Sequence, residues 1–132
     1  MTLAADMLRL TPSSLDFDAA KLADCIEACF DCVQVCIACA DACLGENDAV
    51  ALRLCITRNL SCADVCAATG RILSRQFDHD PVLTRTILEA CRRACGQCAE
   101  ECERHAGHHE HCRVCAEACR RCEWACDVLL NL

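Results

Sequence analysis

Six cysteines between residues 25 and 43 fall at Cys25, Cys29, Cys32, Cys36, Cys39 and Cys43, in steps of four, three, four, three and four. That alternation keeps one face of an α-helix in register, as in the inward seam of packed helices. The residues between them are mostly Ala, Ile, Val, Glu, Asp and Gln, with no Gly or Pro. A helix is therefore free to form there, with a row of sulfur where Leu would ordinarily sit. The pattern recurs three times, at Cys55, Cys62 and Cys66, at Cys91, Cys95, Cys98 and Cys102, and at Cys112, Cys115, Cys119, Cys122 and Cys126. The four stripes account for all eighteen cysteines. Cysteine used as a small buried hydrophobe explains isolated positions, not a stripe on every long segment.

A chain of 132 residues is one ordinary domain that does not need crosslinks to hold a core. Only 3% of its residues are aromatic, and much of the apolar remainder is Cys and Ala, so large interlocking side chains do not fill the middle. The opening residues carry Asp6 where a secretory signal would carry its apolar run, and no stretch approaches the ~20 apolar residues of a membrane span. The expectation is a cytoplasmic protein, in a compartment that keeps thiols reduced and makes dense cysteine a sign of metal rather than of disulfides. Thiols one helical turn apart also point along parallel directions, a poor match to the disulfide torsion. A formal charge of -7 speaks against nucleic acid and anionic membranes as partners and suits a cation.

Leu3, Met7 and Leu10 mark a short amphipathic helix over residues 2–10, and Thr11-Pro12-Ser13-Ser14 breaks the chain after it. Asp16 is the expected N-cap of a first long helix that Gly45 stops after Leu44. Asn47 caps a second helix running to about Gln76, and Asp80-Pro81 opens a third that reaches about Ala106 before Gly107. The fourth follows the turn at 108–110 and ends near Leu129. Short connections make neighbours antiparallel, so the expected fold is all-α: an up-down-up-down four-helix bundle over 16–132 with a Cys-lined core, preceded by a short helix and linker over 1–15.

Extending each stripe closes one end with Leu22, Leu73, Leu88 and Leu129 and leaves Cys43, Cys55, Cys112 and a His-rich turn at the other. Asn59 fills the gap between Cys55 and Cys62, either as a ligand or as a core amide fixing register. His105 follows Cys102 by three and extends its thiol row as a ligand; His108 precedes Cys112 by four, as a ligand or a cap. His109 and His111 are read as solvated turn residues, with a transient role in ion entry as the alternative, and His79 as surface. Trp124 lies off its stripe, and Ile26, Val33, Ile37 and Ile56 flank theirs.

Soft thiolates suit Cu(I), Zn(II) or iron–sulfur clusters. Tetrahedral zinc and cluster sites use four converging thiols, which leaves most of eighteen unexplained. Cu(I) accepts two or three sulfurs and lets each thiolate bridge two ions, so a row of thiols holds a row of copper at about one ion per thiolate. One-to-one loading also neutralises the cavity, whereas each tetrathiolate zinc would bury two negative charges. Storage of multiple Cu(I) ions leads; a zinc or mixed soft-metal buffer is the alternative. A thiol oxidoreductase is disfavoured because its Cys-x-x-Cys sits exposed at a helix start. No Glu precedes a His by three, as a di-iron carboxylate enzyme would require, so no enzymatic activity is expected.

With its Cys-x-x-x-Cys and Cys-x-x-Cys steps on four helices, the chain resembles the bacterial copper storage proteins, specifically their cytosolic branch, from about residue 17 to 130. The resemblance implies a homotetramer of bundles, each holding many Cu(I) ions taken up at a His-bearing end, often with Met; copper donor or acceptor proteins are candidate partners. Met1 and Met7 both lie outside the long helices, so His would serve that end here.

Overall fold

The computed structural model describes residues 2–132. It contains five α-helices: α1 (Leu3–Leu10), α2 (Ala19–Leu44), α3 (Arg53–Ser74), α4 (Pro81–His105) and α5 (Glu110–Leu130), with a 3-10 turn at Ala49–Leu52 leading into α3. α2 packs against α3 and α5, and α4 packs against the same two, so sequence neighbours are spatial neighbours and the four long helices form the expected bundle.

The helix boundaries differ from expectation at two starts and one end. α2 begins at Ala19 rather than after Asp16, because Asp18 accepts a hydrogen bond from the Lys21 amide at 3.1 Å and serves as N-cap. Asp16 instead lies 3.2 Å from His79, joining the linker to the α3–α4 turn. Asn47 does not cap α3; the chain passes through the 3-10 turn first, which buries Leu52 completely before the helix begins. α3 ends at Ser74 because Gln76 folds back and donates to the Leu73 carbonyl at 2.7 Å, taking over one of the last helical acceptors. At α4 the expectation holds: Asp80 accepts from the Val82 and Leu83 amides at 2.9 and 3.2 Å, with Pro81 in the first turn.

All eighteen cysteines are buried and none is in a disulfide. Leu22, Leu73, Leu88 and Leu129 are buried as well, at the end shared by the starts of α2 and α4 and the finishes of α3 and α5. α1 lies along α2 and inserts Leu8 into the core, with Ala4 and Ala5 packed behind it. Leu3, Met7 and Leu10 share one face of α1, as expected, and stay exposed, lining one groove with Ile26 and Phe30. Among the described residues three ion pairs cross between helices on the surface, Arg92–Asp127, Arg120–Glu103 and Arg121–Asp31, each at 2.7 Å. Exposed pairs of this kind contribute about 0–1 kcal/mol each, so burial along the sulfur seam dominates. Among the described residues no helix is long and apolar enough to cross a membrane.

Candidate metal centre

Because all four long helices turn their period-3.5 face inward, the sulfurs form a continuous column rather than separate sites. Starting near the leucine end, Cys29, Cys91, Cys122 and Cys126 form one quartet. Then come Cys32, Cys66, Cys95 and Cys122, followed by Cys32, Cys36, Cys62 and Cys119, and by Cys36, Cys98, Cys115 and Cys119. Within each group every ligand atom lies within 4.8 Å of the others. Successive quartets overlap: Cys122 joins the first to the second, Cys32 the second to the third, and Cys36 with Cys119 the third to the fourth. Cys25 extends the column past the first quartet, 3.8 Å from Cys126.

Neighbouring sulfurs approach to 3.5 Å at Cys66···Cys95 and to 4.0 Å at Cys36···Cys98. That spacing leaves room for an ion between neighbours at metal–sulfur bonds of about 2.3 Å. It also lets neutral thiols hydrogen-bond one another, so the metal-free column is not left with unsatisfied polar groups. Within such pairs the proton is shared unevenly. Cys25 is held down to about 5, first by Cys126 and then by Cys29, while Cys126 is pushed up, first by Cys122 and then by Cys25. Towards the other end, burial above all pushes the Cys43 and Cys112 thiols up, which keeps them neutral until a metal displaces their protons.

Asn59 is fully buried among the thiols. Its Oδ1 accepts from Cys98 at 3.0 Å, Cys115 at 3.2 Å and Cys102 at 3.5 Å, while Nδ2 lies 3.9 Å from the Cys55 sulfur. Cys55 and Cys102 are themselves 3.5 Å apart. The amide oxygen therefore faces three sulfurs at once, in the gap of the α3 stripe.

At the polar end Cys39, Cys43 and Cys112 converge with His111. His111 Nδ1 lies 3.4 Å from the Cys39 sulfur and 3.6 Å from that of Cys112. Burial lowers the basicity of His111, but Cys39 and Glu46 outweigh it and the net shift is upward. Cys39 is brought down to about 6, by Cys102 first, against the opposing effect of Cys115. The sequence reading of His111 as a solvated turn residue misses this position, although a signal was present: His111 precedes Cys115 by four and so is in phase with the α5 stripe.

The other histidines sit elsewhere. His105 places Nε2 3.0 Å from Glu101 Oε2, and that buried carboxylate also accepts from Arg104 at 3.0 Å. His108 is exposed in the α4–α5 turn. His109 lies between two carboxylates, Nδ1 on Glu46 and Nε2 3.0 Å from Asp48, and the hydrogen bond to Asp48 raises its pKa. Its ring stacks on His111 with centroids 5.5 Å apart.

The family model described as copper storage protein matches residues 18–131. The chain is similar to the copper storage protein Ccsp of Streptomyces lividans loaded with 10 copper equivalents, with 52% identity, a TM-score of 0.95, and 97% of this chain and 98% of that one covered. It is also similar to a structure of a cytosolic copper storage protein of the same organism with five coppers, at 54% identity and a TM-score of 0.84, covering 86% and 94%. An uncharacterized cysteine-rich protein of Bacillus subtilis (strain 168), YhjQ, is 36% identical over 102 residues, 77% of this chain and 89% of that protein.

Proposed function

We propose, from the premise that this chain belongs to the copper storage protein family, that its sulfur column stores Cu(I) at about one ion per thiolate. The observation that carries this stoichiometry is the sharing of Cys122, Cys32, Cys36 and Cys119 between successive quartets. A set of isolated tetrahedral centres would not reuse its sulfurs, whereas two-coordinate ions at one per thiolate use each sulfur twice. The role is storage rather than catalysis. A zinc buffer is the weaker reading, since each buried tetrathiolate zinc retains two negative charges.

The eighteen cysteines are the proposed ligands: Cys25, Cys29, Cys32, Cys36, Cys39, Cys43, Cys55, Cys62, Cys66, Cys91, Cys95, Cys98, Cys102, Cys112, Cys115, Cys119, Cys122 and Cys126. Asn59 Oδ1 and His111 Nδ1 join them, supported by their distances to sulfur. His105 and His108 are retained only as transient contacts near the mouth, since Glu101 occupies the first and the second lies in solvent. The proposed mouth is the end bearing His111; the buried leucines at the opposite end support that polarity. A cytoplasmic setting is supported by the Streptomyces relative described as cytosolic. A homotetramer is supported by the family resemblance and by the exposed apolar side chains Leu3, Met7, Phe30 and Ile37.

Anaerobic titration of the reduced protein with Cu(I) against a strong chelator tests the reading. The expected endpoint approaches one ion per thiolate; saturation at or below about four ions, the ceiling for tetrathiolate centres on eighteen sulfurs, would refute it. In the same titration, Cys36→Ser is expected to lower the endpoint by one or two ions, because that sulfur serves two quartets. An unchanged endpoint would show that Cys36 holds no copper.

A further inference from the structure

The ring of His111 has two nitrogens, and only the one without a proton can bind a metal. Which nitrogen that is depends on the hydrogen bond made by the other. Nδ1 faces Cys39 and Cys112, while Nε2 lies 3.3 Å from Glu46 Oε2. Glu46 comes from the loop after α2, 65 residues away in sequence. The same oxygen also meets His109 Nδ1, and the far side of that imidazole is tied to Asp48. A run of polar groups, Asp48–His109–Glu46–His111, thus ends on the outermost thiols, with the two rings stacked along it. Glu46 is only a third exposed, and no Lys or Arg is paired with it among the described residues, so two imidazoles are its partners.

We propose that Glu46 is the positioning residue of His111: it accepts the Nε2–H hydrogen bond, outcompetes the Cys39 sulfur at Nδ1 for the ring proton, fixes that tautomer, and so turns the unshared pair of Nδ1 toward Cys39, Cys43 and Cys112. His109, clamped between Asp48 and Glu46, holds the carboxylate in place. A carboxylate behind a ligating imidazole orients the ring and makes its other nitrogen a stronger donor; losing such a partner typically costs about 10–100-fold in metal affinity. The inference deepens the storage reading and rests on it only for the copper step, because the tautomer is a property of the metal-free protein.

Long-range proton–nitrogen NMR on the reduced, metal-free, nitrogen-15-labelled protein, above the ordinary imidazole titration range, reads that tautomer. The wild-type ring is expected to carry its proton on Nε2. Glu46→Ala is expected to move a substantial population to Nδ1, and Glu46→Gln, whose amide oxygen still accepts, to keep the wild-type signature. Glu46 lies in a loop, so neither change interrupts a helix, and Glu46→Gln reports even if the alanine variant misfolds. A wild-type ring protonated at Nδ1, or an alanine variant indistinguishable from wild type, overturns the proposal. With the first equivalent of Cu(I), Glu46→Ala is expected to bind at least about tenfold more weakly and Glu46→Gln to recover most of that loss. If the tautomer responds as stated but copper leaves the His111 nitrogen signals unmoved, the positioning role stands and His111 as a copper ligand falls.

Discussion

Loaded with Cu(I), the bundle is expected to melt about 20 °C or more above the metal-free protein. A ligand that binds the native state alone stabilises it by about 4 kcal/mol per site at a thousand-fold excess over its dissociation constant. Several such sites exceed the about 5–15 kcal/mol that separates an ordinary domain from its unfolded chain. Unfolded cysteines also bind copper and take back part of the gain. The remainder comes from geometry: in the folded column each sulfur already stands within bridging distance of neighbours from other helices, as Cys32 does 3.7 Å from both Cys62 and Cys119. Calorimetry of the two forms under reducing, anaerobic conditions measures the difference. Melting points within a few degrees of each other would show that the folded cavity offers copper nothing the unfolded chain lacks.

The second large effect concerns the empty protein. Leu22, Leu52, Leu73 and Leu88 are its largest fully buried side chains, in a core made mostly of small Cys and Ala. Leu88→Ala is expected to cost about 2–5 kcal/mol, by lost transfer energy and by the cavity left behind. The metal-free melting temperature should fall by about 10 °C or more. Copper capacity should be unchanged, because no ligand is removed. Leu44→Ala, at a position 64% exposed, is the matched control and should leave both quantities alone. If Leu88→Ala lowered capacity while sparing stability, the leucine end would be part of the cargo space rather than its plug.

Much of this architecture was legible because one period governs it. Steps of three and four place thiols on one helical face whatever the tertiary context, and short connections then leave little choice of topology. What escaped was decided by partners distant in sequence or by local competition between caps. Asp18 displaced Asp16 through one amide, and the 3-10 turn before α3 displaced Asn47. His105 was in phase with its stripe, yet Glu101 lay one turn earlier on the same helix and took its Nε2, a pairing that the i,i+4 rule makes readable. His111 was harder, since its orientation depends on Glu46 from another loop, and helical phase alone does not reveal which ring at a helix start is drawn inward.

The plugged leucine end also has a consequence for turnover. If the proposed mouth beside His111 is the route for copper, the column would fill from its deepest vacancy outward and empty in reverse, last in and first out. Copper taken up most recently would be the exchangeable pool, while atoms seated beside Cys25 and Cys126 would keep their place longest, so a pulse of one isotope chased by another should leave in the opposite order to its arrival.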